Sequence, residues 1–153
     1  MKARIPFLFA IMLACGLMLG SCSPSKYVAK PNEEIFGTWT NEKMSAQKLV
    51  IAADSGKLYL KVTDETPYAE STGEWISKRT DSEGNIWYKS FNSRTKGPYS
   101  GFKFTELDKL SKSGTVLESV FKAPSNDEEL KNPQYPTKID PQDSSYTIYF
   151  KAK

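Results

Sequence analysis

The chain has 153 residues, with 21 Lys and Arg against 18 Asp and Glu and no histidine. A net charge of only +3 argues against nucleic acid as a partner, because phosphate binding needs clustered excess cation. Without histidine, the usual general base near neutral pH and the commonest metal ligand are both missing, so the composition points away from an enzyme and from any cofactor or metal.

The amino-terminal stretch is an export signal. Lys2 and Arg4 precede an apolar run from Ile5 to Leu19. A charged start followed by roughly 7–15 apolar residues is the secretory pattern, whereas a spanning helix needs about 20. Leu19-Gly20-Ser21-Cys22 resembles the lipobox of bacterial lipoproteins, with an aliphatic residue three before the cysteine and two small residues between. That resemblance implies cleavage of residues 1–21 as a signal peptide, acylation of Cys22, and a membrane as the partner. Two or three acyl chains anchor firmly, since each buried CH₂ contributes roughly 0.8 kcal/mol. Ser23 after the cysteine matches the enterobacterial rule for outer-membrane sorting, so the expected location is the bacterial cell envelope. Both cysteines, Cys15 and Cys22, leave the domain behind them without a disulfide or thiol nucleophile.

Residues 22–34 hold Pro24 and Pro31 and little apolar content, so the sequence predicts a flexible tether, with order beginning near Ile35. From there to residue 153 the pattern is that of one domain of short strands. Apolar and polar residues alternate with the period of two that half-buried strands require. The predicted strands are Ile35–Thr40, Gln47–Ala53, Lys57–Thr63, Ala69–Arg79, Ile86–Asn92, Gly101–Leu110, Thr115–Ala123 and Tyr146–Lys151. Asp54-Ser55-Gly56, Asp64-Glu65-Thr66-Pro67, Asp81-Ser82-Glu83-Gly84-Asn85 and Ser113-Gly114 supply turns, and Ser93–Ser100 reads as a polar loop. Pro124 to Ser145 contains four prolines and is long for a connection between neighbouring strands. Ser125-Asn126-Asp127-Glu128 within it fits a capping box, predicting one helical turn near Asn126–Lys131. About eight short strands in a meander indicate an all-β, antiparallel up-and-down barrel, with closure removing the exposed sheet edges.

Gly37-Thr38-Trp39 resembles the Gly-x-Trp motif that opens lipocalins and related calycin barrels. Residues 80–89, 114–118, 135–141 and 146–150 extend the resemblance to a group of small bacterial lipocalin-like domains, over about residues 35 to 151. It implies that the indole of Trp39 plugs the closed end of the barrel. Lipocalins usually stack an arginine from near the last strand on that tryptophan; this chain offers only Lys151 and Lys153 there. The group is largely without an assigned activity.

Aromatics form 12% of the chain, and an eight-stranded barrel is just wide enough to hold a small ligand or to fill itself with side chains. Tyr59, Trp75, Trp87, Tyr88, Phe102 and Phe104, with Tyr99 and Tyr149, are the candidate lining of a site for a small hydrophobic ligand. Filling the core is the competing role for the same residues. It would leave a structural or protein-interaction module. Asp81, Glu83 and Asn85 lack the alternating ligands and terminal glutamate of a calcium loop. Asp140 and Asp143, which flank Pro141, could pair as acid and base in an enzyme with carboxylates at the barrel mouth, but Asx-turn chemistry explains both. The expected function is a non-enzymatic, membrane-anchored, lipocalin-like binding domain.

Overall fold

The computed structural model describes residues 26–41, 44–54, 57–63 and 69–153. The expected signal peptide, the expected acylation site Cys22, and the turns expected at 55–56 and 64–67 lie outside them. The chain is all-β, with strands β1 (Gly37–Asn41), β2 (Met44–Asp54), β3 (Lys57–Thr63), β4 (Ala69–Thr80), β5 (Ile86–Lys96), β6 (Lys103–Leu110), β7 (Val116–Lys122) and β8 (Thr147–Lys151). One short helix, α1 (Asp127–Lys131), interrupts them; its first turn is capped by Asn126, whose side chain accepts from the Glu129 N–H. Every strand pairs antiparallel with the next, and the sheet curls until β8 meets β1 at Trp39–Lys151 and Thr40–Phe150. That curl is compatible with a lipocalin-like fold.

Alternation decides what faces inward. In β5, Tyr88, Ser90 and Asn92 are buried, and in β6 and β7 the cross-strand pair Leu110–Leu117 is fully buried. One end of the interior is apolar and filled: Ile35, Trp39, Ile51, Trp75, Tyr88, Leu110 and Leu117 form one cluster, which Leu49 extends toward the middle of the interior. Trp39 is fixed there by donating its indole N–H to the Ile35 carbonyl at 2.9 Å. The Nζ of Lys151 lies 5.3 Å from the Trp39 ring centroid, so a lysine takes the place over the indole where lipocalins usually have arginine. Gly37, beside the Lys151 side chain, takes a φ of +135° that side-chain-bearing residues rarely adopt.

Residues 26–34, expected as part of the tether, lie against this filled end. Tyr27, Ala29 and Phe36 pack on its cluster. Glu33 is only 4% exposed and accepts from Tyr27, Lys78 and Tyr88. The proline and charge content that suggests a linker hides this, because the apolar and buried groups are single residues separated by exposed ones. Burial alone would raise the Glu33 carboxyl, but hydrogen bonds from Lys78, Tyr27 and the Lys30 N–H outweigh it and hold the group down to about 2.

Further along the axis the interior becomes polar, with Ser71, Ser90, Asn92, Asp108 and Ser119 all buried. Gly73 is required here by close approach. A Cβ at that position would sit 2.0 Å from Asn92 Oδ1 and 2.7 Å from the Phe91 carbonyl oxygen. Because one obstacle is backbone, Gly73→Ala is expected to lower stability by about 1–3 kcal/mol, read as a shifted urea midpoint with unchanged slope.

The Pro-rich segment 124–145 is a brace across the outer wall. Leu107 and Val120 are cross-strand partners on the outward parity, opposite to Leu110 and Leu117, yet both are buried. On the same face Thr105 donates to the Gln134 carbonyl at 2.7 Å, and Tyr146 donates to Glu118 at 3.0 Å. A second difference from expectation concerns Ser93–Ser100. β5 continues through Lys96 because Ser93 and Arg94 keep pairing with Thr72 and Ser71. The turn shrinks to the residues after it, where Tyr99 takes φ 61° and Gly97 and Gly101 also have positive φ.

Candidate functional site

At the end opposite the Trp39 cluster, the interior holds a cavity of about 150 Å³. Phe102, Phe104, Phe121 and Leu49 form its apolar wall. Phe102 stacks on Phe104 with centroids 5.7 Å apart, and Phe121 meets Phe104 edge-on at 5.9 Å. Phe102 is 37% and Phe121 44% exposed, so the trio forms an apolar lip rather than a sealed core.

The remaining lining is polar: Ser71, Arg94, Glu106, Ser119, Ser145, Thr147 and Tyr149. Residues 104, 106, 108 and 110 share one parity of β6, so its inward face reads Phe, Glu, Asp, Leu from lip to core. Ser119 donates to Glu106 Oε1 and Asn92 to Glu106 Oε2, both at 2.9 Å. Burial pushes the Glu106 carboxyl up to about 7, against those two hydrogen bonds and the charge of Arg94. Burial, and then the neighbouring Glu106, push Asp108 well above the usual carboxylate range. Tyr149 is raised by burial and by both acids. Both interior carboxyls are thus shifted toward their protonated forms, and the charge of Arg94 acts on Glu106 against that shift.

The sequence candidates separate into three places. Phe102 and Phe104 line the cavity, as does Tyr149. Trp75 and Tyr88 do not: both are buried in the filled end, edge-to-face at 4.7 Å, because their strand positions are closer to Trp39 than to the lip. Trp87 is on the outer wall. It alternates with inward Tyr88, donates its indole N–H to Asp81 at 2.8 Å, and lies between Arg79 and Lys109. Tyr59 pairs with Thr72 in the sheet, and its side chain lies outside the described residues. Tyr99 stands 80% exposed at the β5–β6 turn.

Arg94, Glu106, Ser119 and Phe121 are lining residues that an aromatic inventory misses. A signal for Glu106 exists in the sequence, since period-two alternation puts it on one face with Phe104 and Leu110. The acidic positions outside the cavity do local work. Asp81 accepts the backbone N–H groups of Glu83 and Asn85, while Asp140 and Asp143 accept those of Gln142 and Ser145. Among the described residues no three Asp, Glu, Cys or His side chains come together as metal ligands, and no helix is long and apolar enough to cross a membrane. Comparison of the chain with known protein families, with curated proteins and with solved structures finds no match.

Proposed function

We propose that this chain is a lipid-anchored protein of the bacterial cell envelope, whose curled sheet is a lipocalin-like barrel of eight strands that binds a small amphipathic molecule. The anchor reading rests on Leu19-Gly20-Ser21-Cys22, and the barrel reading on the β1–β8 seam, on Gly37 and on Trp39 beneath Lys151. The observation that carries ligand binding is the division of the interior. One end is filled by Trp39, Trp75 and Tyr88, while the other keeps a cavity of about 150 Å³ between a phenylalanine lip and a polar floor. Space of that size takes one benzene-sized ring, well below the roughly 300–1,000 Å³ of drug-sized sites. The ligand is thus a short molecule with an apolar group and a polar one, not a long acyl chain. An acid–base role for Asp140 and Asp143 is disfavoured, because both carboxylates are engaged in turns outside the cavity.

Phe121→Trp puts a fluorescent reporter on the lip, which Trp75 and Trp87 cannot be. Saturable change in its emission on adding ring-sized amphiphiles such as benzyl alcohol is the expected result. A flat response would favour a filled structural module instead. Mass spectrometry of the mature amino terminus tests the anchor: an acylated Cys22 is expected, and an unmodified terminus elsewhere overturns it.

A further inference from the structure

The polar floor of the cavity carries a charge pattern that small size alone does not use. Arg94 is the only cation among the described lining residues. Its Nε is buried and meets no acceptor among the described residues, and Nη1 makes only a long 3.4 Å contact with the Pro98 carbonyl. Glu106, whose oxygens accept from Ser119 and Asn92, makes no hydrogen bond with that Nε. A buried charged donor without an acceptor is costly, so such groups in native structures call for a partner.

Resting on the ligand-binding reading above, we propose that the ligand is a small organic anion, a carboxylate bearing one ring-sized apolar group, seated on Arg94 with uptake of a proton by Glu106. A planar guanidinium presents paired N–H donors that match a carboxylate better than a point charge does. The apolar group then lies along Phe102, Phe104 and Phe121, where about 150 Å³ accommodates one ring. A cationic ligand would meet Arg94 at short range, and a neutral one could accept from Nε only through a weaker bond with no counter-charge.

The proton follows from the neighbours of Glu106. Asp108 faces it from the same strand, Arg94 from β5 and Tyr149 from β8, while β7 contributes only the Ser119 hydroxyl. An anion arriving beside Glu106 opposes its ionised form, and by linkage the protonated form binds the anion more tightly. Burial holds Glu106 at about 7, so the coupling operates across neutral pH.

Calorimetric titration of the full chain in detergent with benzoate, benzamide and benzamidine tests this, because the three share one shape and differ in charge. At about pH 5.5 benzoate is expected to bind at least about tenfold more tightly than benzamide, with benzamidine weakest. Benzoate, ionised throughout, should weaken by up to about tenfold by about pH 8, and its binding heat should vary with buffer ionisation enthalpy. Glu106→Gln is expected to lose most of the pH dependence. Arg94→Gln, checked for an unchanged melting temperature, should bind benzoate no better than benzamide. Equal binding of benzoate and benzamide, or a preference for benzamidine, overturns the anion assignment while leaving the cavity reading intact. Benzoate affinity unchanged between the two pH values overturns the proton coupling, and failure of all three compounds to bind sinks both readings.

Discussion

Lys78→Met is expected to destabilise the fold by about 3–5 kcal/mol, the usual cost of removing one partner from a buried ion pair. The lysine neutralises Glu33, whose side chain is 1% exposed. It also contacts the half-exposed Glu34 and lies 5.4 Å from the Tyr88 ring centroid. Methionine keeps much of the packing but leaves a buried carboxylate with only neutral donors, Tyr27, Tyr88 and the Lys30 N–H. The deficit should therefore shrink as pH falls, because in the variant Glu33 relieves the strain by taking a proton. Lys78→Met with Glu33→Gln should recover most of the loss, since neither remaining group is then charged. Urea melts of the four proteins of this double-mutant cycle measure the coupling. A double variant as unstable as Lys78→Met alone would show that shape, not charge, governs the site.

Lys78 also shows why this network is not legible as a pattern. Trp75 faces inward opposite Ser90, and strict alternation would then send position 78 outward. The register of β4 slips between Trp75 and Ser77, so Lys78 instead pairs with Tyr88 and shares its face. A bulge of this kind re-aims a side chain by inserting one residue, and nothing in Ile76-Ser77-Lys78 announces it. Its partner Glu33 is far off in sequence, inside a stretch whose prolines and charges read as linker.

By contrast, the strands themselves are written plainly in the alternation of residues such as Leu117, Ser119 and Phe121 in β7. The bracing role of segment 124–145 is half-written: Leu107 and Val120 are apolar on the outward parity, so something must cover them, but their sequence does not say what. The aromatic candidates divide for a simple reason. Trp87 and Tyr88 are adjacent, so only one of them can point inward, and composition cannot choose between them. Along the barrel axis, whether an inward aromatic fills or lines depends on its distance from the end that Trp39 closes, which pairing register fixes.

The stability of the domain is expected to fall between about pH 5 and about pH 8, by about 3 kcal/mol from Glu106 alone. This carboxyl rises from 4.5 to about 7 on folding, and each unit of difference between folded and unfolded states is about 1.36 kcal/mol. Below 4.5 both states hold the proton, and its contribution is fully present. Between 4.5 and 7 the unfolded chain has released the proton while the folded chain still binds it, so stability declines with rising pH. Asp108, raised by burial and by Glu106, adds to the decline in the same direction. Glu33 acts in another window: its carboxyl is held down to about 2, so its contribution is complete above 4.5 and is lost only in stronger acid. Maximum stability should thus lie near pH 4.5–5, where Glu33 is ionised and the two interior acids are still protonated. For a domain of this size the change between pH 5 and pH 8 corresponds to a melting-temperature shift on the order of 10 °C. Glu106→Gln keeps a hydrogen-bonding group of the same shape without the titration. It should flatten most of the slope and, at pH 8, make the domain more stable than the parent. Thermal melts followed by circular dichroism across this range decide the matter, and a parent whose melting temperature rises towards pH 8 would mean that Glu106 is ionised in the folded chain.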